Sequence, residues 1–170
     1  TTRQFITTQQ EFDALCDYTE IYRFIHGERL CVTFSAREAA RNAMIPTMIV
    51  QPVVENALKH GVREQNEDSQ IIVHAYIRED KLNLTVKDTG YGLTPEQETK
   101  LERGEQLSDP HHGGIGLANV RQRLSLIYGD EASVSIHNRP EGGVVVKIIL
   151  PLTYSEPNLH FGEDDWDFDT

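Results

Sequence analysis

A chain of 170 residues, 38% hydrophobic and 25% charged, has the size of one globular domain and enough apolar side chains for a core. No apolar run approaches the ~20 residues of a membrane helix, no basic-then-apolar leader opens the chain, and Cys16 and Cys31 form no CxxC or Cys/His array; a membrane span, a secretion signal, a disulfide scaffold and a zinc site are therefore not expected, and a reducing cytoplasm is the default setting. The net charge of −11 argues against a nucleic-acid surface, and six of the acids crowd into residues 153–170 without a Lys or Arg, leaving −5 for the first 152 residues.

From Gln9 to His26 the apolar residues Phe12, Leu15, Cys16, Tyr22 and Phe24 or Ile25, with Thr19, recur at helical spacing, and Gly27 is a natural stop. Residues 29–35 alternate Leu30, Val32 and Phe34 with polar neighbours, as a half-buried strand does. A helix is expected from Pro46 to Gly61, apolar at Ile45, Ile49, Val53 and Ala57 and beside them at Met48, Val50, Val54 and Leu58, with Pro52 bending it and removing one hydrogen bond. Residues 70–78 and 82–87 read as an antiparallel hairpin around Glu79, Asp80 and Lys81. Thr89 to His112 is polar and Gly/Pro-punctuated, mostly a mobile loop with a short helix near Pro95 to Glu102. A helix over 115–128 precedes two strands, Ala132 to His137 and Val144 to Leu150, joined by the turn 138–143. Helices and strands without a strict βαβ rhythm imply a mixed sheet covered by helices on one face.

Three stretches carry chemistry. Asn56, Lys59 and His60 fall at i, i+3 and i+4, so an amide, an ammonium and an imidazole share one helix face. An Asn oxygen suits Mg²⁺ and a Lys suits phosphates, yet the same spacing also describes a solvated face with a Glu55–Lys59 ion pair. Asp88 ends a strand just before Thr-Gly-Tyr-Gly. A carboxylate there accepts hydrogen bonds without donating them, which matches the adenine amine and opposes the guanine carbonyl; a turn Asp capping its own backbone is the alternative. Residues 112–117, His-Gly-Gly-Ile-Gly-Leu, precede a helix, where free N–H groups and the dipole favour phosphate. This is neither a dinucleotide fingerprint nor a Walker loop, and the adjacent His111 and His112 read as loop residues.

Taken in this order, Gln51 to Gly61, Asp88 to Gly92 and Gly114 to Gly129 resemble the asparagine box and two glycine boxes of the superfamily containing gyrase, Hsp90, histidine kinases and MutL. The sequences Gln-Pro-Val-Val-Glu-Asn-Ala-Leu-Lys-His-Gly and Asn-Val-Arg-Gln-Arg-Leu are similar to those of sensor histidine kinases of the autolysin-regulating type, and the resemblance covers about residues 9–152. It implies the two-layer α/β sandwich known as the Bergerat ATP-binding fold, with a mixed, mostly antiparallel sheet. It implies Mg-ATP as cofactor: Asn56 on Mg²⁺, Lys59 and His60 on phosphate, Asp88 on the adenine amine, and Gly90, Gly92, Leu93, Gly113, Gly114, Ile115, Gly116 and Leu117 framing the nucleotide. Asn56, Lys59 and Glu55 are the implied catalytic set, and residues 94–113 correspond to the nucleotide lid. Val144 departs from the family where relatives often carry a Thr.

Relatives that hydrolyse ATP with water place a Glu one turn before the Asn; this chain has Pro52. The resemblance therefore implies transfer to a histidine, in a dimerisation domain that this sequence does not contain, and a downstream response regulator. The expected organisation is a helical lead over 1–28, an ATP-binding domain over 29–152 and a disordered acidic tail over 153–170, inside a homodimeric parent anchored in a bacterial inner membrane. A degenerate regulatory nucleotide-binding module and an anti-sigma-factor serine kinase are the competing readings.

Overall fold

The computed structural model describes residues 3–27, 29–60, 68–105 and 114–159. Strand β1 (Phe5–Thr7) leads into helix α1 (Thr8–His26) through a capping box: the Thr7 hydroxyl accepts the Gln10 N–H at 3.1 Å, and the Gln10 side chain accepts the Thr7 N–H at 2.9 Å. Gly27, at φ 109°, donates back to the Arg23 carbonyl and ends the helix. Phe12, Leu15 and Thr19 are buried, as the periodicity predicts, whereas Phe24 and Ile25 are 92% and 69% exposed. The stripe 12, 15, 19, 22 reaches position 26 next, so residues 24 and 25 are turned off it by the helical period itself.

Strand β2 (Leu30–Ala36) follows, then a single helical turn α2 (Glu38–Arg41), strand β3 (Met44–Pro46) and helix α3 (Gln51–His60). The helix expected from Pro46 thus begins five residues later. Pro46 lies in β3, paired with Phe5, and Met48 takes a φ of 61°, which no α-helix continues through. Ile45, Ile49 and Val50 are fully buried, but in a strand and turn that cross the core. Pro52 falls in the first turn of α3, where its missing N–H has no intrahelical acceptor to lose, so it neither bends the helix nor costs it a bond. The N-terminus of α3 is capped from a distance: the buried Glu11 carboxylate on α1 accepts the Val50 N–H at 3.0 Å.

Strands β4 (Ser69–Arg78) and β5 (Lys81–Asp88) form the expected hairpin through a two-residue turn, with Glu79 and Asp80 at φ 53° and 57° and Lys81 already paired with Arg78. Helix α4 (Pro95–Glu102), helix α5 (Gly114–Tyr128), a 3-10 turn (Gly129–Glu131) and strands β6 (Ser133–Asn138) and β7 (Val144–Pro151) complete the fold. The five-stranded sheet runs β2-β4-β5-β7-β6, parallel between β2 and β4 and antiparallel elsewhere, beside the small β1–β3 ribbon.

Alternate residues of β4, β5 and β7 point into one core. Ile71, Val73, Leu82, Leu84, Ile148 and Leu150 meet Phe12, Leu15, Val53, Leu58, Val120 and Leu124 of α1, α3 and α5; each such side chain contributes roughly 1.5–3 kcal/mol of burial. Helices on one face of a mixed, mostly antiparallel sheet is the architecture expected from the sequence.

Two arginines of the Asn-Val-Arg-Gln-Arg-Leu stretch hold the layers in register. Arg123 donates to the Thr47 and Met48 carbonyls at 2.9 and 3.4 Å, fixing the turn before α3, and Arg121 donates to Leu101 of α4 at 3.1 Å and Val134 of β6 at 3.4 Å. The acidic tail starts later than position 153. Met44 N–H donates to the Thr153 carbonyl at 2.8 Å and the Tyr154 hydroxyl to the Ala39 carbonyl at 3.0 Å, so these residues belong to the folded body; residues 160–170 lie outside the described ones.

Candidate functional site

Between α3 and the ends of β5, β6 and β7 lies a cavity of about 280 Å³. Asn56, Lys59 and His60 line one side, from the face of α3 that the i, i+3, i+4 spacing placed together; Asp88, Gly92 and Leu93 line the other, and Leu117 of α5 closes one end. Its apolar wall comes from Val53, Ala57, Val86, Ile136, Val144 and Val146. The fold thus brings the three α3 side chains onto the wall of one cavity.

Asp88 is 8% exposed. Its Oδ1 accepts the Gly90 N–H at 2.9 Å and the Val144 N–H at 3.1 Å, while Arg139 Nη1 donates to its backbone carbonyl. Burial pushes the Asp88 carboxyl above its ordinary value; the two N–H donors, the Arg139 guanidinium and His60 pull it back. The turn-cap reading of Asp88 is therefore correct for Oδ1, and among the described residues no hydrogen bond is made by Oδ2, which is available to a ligand in the cavity. Val144, where the resemblance put a Thr in relatives, contributes its backbone N–H here, a service that no side chain needs to supply.

Glycines permit this closeness. At Gly143 (φ 83°) a Cβ would sit 2.1 Å from the Asp88 carbonyl oxygen, and at Gly92 (φ 80°) it would sit 2.7 Å from Asn138 Oδ1. Gly116 brings the first turn of α5 against α3, where its Cβ would lie 3.7 Å from Pro52 and 3.9 Å from Asn56. Helix α5 begins at Gly114, and its first turn lies against Asn56. Gly113, His111 and His112 lie outside the described residues, as do the side-chain surroundings of Ile115.

Glu55, Gly90 and Gly116 are not part of the cavity wall. Glu55 is half-buried and accepts the Gln51 side-chain amide at 3.1 Å, and Gly90 serves the site only through its bond to Asp88. Sequence reasoning in turn passed over Tyr91, the apolar wall and the β6–β7 turn. The apolar residues carried only strand or helix periodicity, and Asn138 and Arg139 carried only a turn signal. Helix α4, expected inside a loose lid, is packed: Leu101 is buried and Glu98 bonds Asn138. Among the described residues no cluster of three or more His, Cys, Asp or Glu suits a metal ion, and no helix is long and apolar enough to cross a membrane.

A helix-covered mixed sheet with a cavity between an Asn-bearing helix and an Asp-Xaa-Gly loop defines an ATPase-type nucleotide fold. Residues 42–154 match the family model described as histidine kinase-, DNA gyrase B- and HSP90-like ATPase, and the chain belongs to that family. It is 30% identical over 149 residues to the sensor histidine kinase YesM of Bacillus subtilis, covering 88% of this chain and 24% of that protein. It is 28% identical over 151 residues to the sensor protein LytS of Enterococcus faecalis, covering 89% and 26%. The chain thus spans about a quarter of the length of these curated relatives.

Its fold matches the catalytic domain of histidine kinase ThkA at a TM-score of 0.65 and 13% identity, covering 91% of this chain and 98% of that one. It also matches full-length ShkA in complex with AMPPNP at 0.66 and 15%, covering 89% and 31%.

Proposed function

We propose that this chain is the ATP-binding catalytic domain of a sensor histidine kinase, which binds Mg-ATP and transfers the γ-phosphate to a histidine on a dimerisation domain outside these 170 residues. The observation that carries the reading is the make-up of the cavity wall: an Asp88 carboxylate with one oxygen held by backbone N–H groups, an apolar lining, and Asn56, Lys59 and His60 from α3. Adenine at Asp88 and phosphates at the α3 residues use each of these groups. Asp88 accepts the adenine amine and repels the guanine carbonyl. Asn56 offers one neutral oxygen to Mg²⁺, which fits an ion held mainly by phosphate oxygens and water, since the described residues offer no acidic cluster. Lys59, exposed on the last turn of α3, and the α5 N-terminus neutralise the phosphates.

In the transfer a histidine nitrogen of the acceptor attacks the γ-phosphorus in line, the bond to the β–γ bridging oxygen breaks, and ADP leaves. The domain supplies position and charge, and the acceptor supplies the nucleophile. Pro52 stands where hydrolytic relatives carry a general base, and its ring takes no proton. Similarity to sensor kinases supports the wider setting of the proposal: a homodimeric, inner-membrane parent, this domain on the cytoplasmic side, and a response regulator as final acceptor.

Calorimetric titration with Mg-ATP and Mg-GTP, on the parent and Asp88→Asn, tests the assignment. In Asp88→Asn the oxygen must stay on the Gly90 and Val144 N–H groups, which turns the new NH₂ toward the base. A charge-assisted bond of roughly 1.5–3 kcal/mol is lost, so ATP should weaken about 10- to 150-fold, while GTP, whose carbonyl then faces a donor in place of a carboxylate, should hold or tighten. Equal ATP affinity in parent and variant refutes the adenine assignment.

A further inference from the structure

The turn between β6 and β7 grips the loop at the cavity floor at both ends. At the near end Arg139 Nη1 and the Val144 N–H hold Asp88, the one on its carbonyl and the other on its carboxylate. At the far end Asn138 Oδ1 accepts the Leu93 N–H at 2.7 Å and Asn138 Nδ2 donates to the Leu93 carbonyl at 2.8 Å, a two-point grip on one residue's backbone. The same Nδ2 donates to Glu98 Oε2 at 3.2 Å, and the Asn138 N–H donates to Glu98 Oε1 at 3.1 Å. Glu98 lies on α4, whose capping box at Thr94 and Gln97 begins one residue after Leu93.

An amide is the side chain this position requires, because it must accept from one N–H and donate to two oxygens at once. Gly92 completes the arrangement: any Cβ there would collide with Asn138 Oδ1. Asn138 itself does not line the cavity, whereas Gly92 and Leu93 do.

We propose that Asn138 is a positioning residue for the nucleotide: through the Leu93 backbone and Glu98 it locks the loop 88–93 and α4 together, so that the adenine wall is preformed and α4 responds to its occupancy. The inference rests on the ATP-binding reading. A lock of this kind acts chiefly on how fast ligand escapes, because a loop free to swing away from the base opens the pocket without altering any group that touches ATP.

The test uses the full 170-residue chain, with ATP affinity from calorimetry, dissociation rates from stopped flow with a fluorescent ATP analogue, and thermal midpoints measured alongside. Asn138→Asp keeps the acceptor for the Leu93 N–H but sets a carboxylate against Glu98 and the Leu93 carbonyl; it should weaken ATP about ten-fold or more, mostly through faster dissociation. Adding Glu98→Gln should restore most of the affinity, since the amide introduced on α4 donates to the carboxylate introduced on β6 while its oxygen still accepts the backbone N–H at position 138. Asn138→Leu, which offers neither partner, should lose affinity that Glu98→Gln does not restore.

Parent-like affinity and dissociation in Asn138→Asp would overturn the inference while leaving the ATP site intact. So would a lowered thermal midpoint with unchanged ATP affinity of the folded protein, or a loss that Glu98→Gln leaves unrepaired. A parent chain that binds no ATP would instead remove the ATP-binding reading, and this inference with it.

Discussion

Glu11 is 3% exposed and sits beneath the turn that starts α3, so replacing it by Gln should change how stability depends on pH. Burial dominates and pushes its carboxyl from 4.5 to about 7, against the pull of the Val50, Met48 and Ile49 N–H groups and the Arg123 guanidinium. The unfolded chain gives up this proton near the ordinary value, while the folded chain holds it to about 7. The Glu11 contribution is therefore fully present below the unfolded value and is lost as pH rises through the folded one. At 1.36 kcal/mol per unit the loss totals about 3 kcal/mol, most of it between pH 5 and 8.

Glu11→Gln retains an acceptor for the Val50 N–H and carries no charge, so its stability should lack that decline. Urea unfolding followed by circular dichroism from pH 5 to 9 measures it: relative to the parent, Glu11→Gln should gain about 2–3 kcal/mol between the ends of the range. Glu11→Ala leaves the first donors of α3 buried without a partner and should be destabilised by about 1–3 kcal/mol even at pH 8. A constant difference between parent and Glu11→Gln across the range would show that burial does not govern this carboxyl.

Gly143→Ala combines a left-handed backbone with a Cβ 2.1 Å from the Asp88 carbonyl oxygen, whereas Gly129→Ala shares the positive φ with nothing within 4 Å. By thermal unfolding the second should cost about 1–2 kcal/mol and the first clearly more, with ATP affinity lost only in the first; equal costs would mean that the close approach to Asp88 carries no load. On the proposed kinase reading, with Pro52 where hydrolytic relatives are proposed to carry a general base, phosphate release by the isolated chain should stay far below the ~1–10³ s⁻¹ typical of enzymes. Robust release abolished by Glu55→Gln would contradict this and make Glu55 a base.

Much of this molecule was legible in local pattern. The hairpin around Glu79 and Asp80 and the span of α4 follow from periodicity and turn chemistry, whereas the placing of Asn56, Lys59 and Asp88 around one cavity was legible only through the family resemblance. What escaped is non-local. Ile45, Ile49 and Val50 satisfy a helical period, yet the chain turns at Met48 because Glu11, on another helix, caps α3, and Arg123, from a third, holds the turn's carbonyls. Asn138 and Arg139 look like ordinary turn residues until β6 and β7 bring them to Leu93 and Asp88, far away in sequence. Thr153 and Tyr154 read as the start of an acidic tail because their partners, Met44 and Ala39, are more than a hundred residues earlier.

The central claim is settled by incubating this chain with γ-labelled Mg-ATP and a dimerisation fragment that carries the candidate histidine, then treating the product with acid. The account predicts label on the fragment that is lost in acid, and that fails to appear with Asn56→Ala. No transfer by a chain that binds Mg-ATP would make it a regulatory binding module, and acid-stable label would make the acceptor a serine.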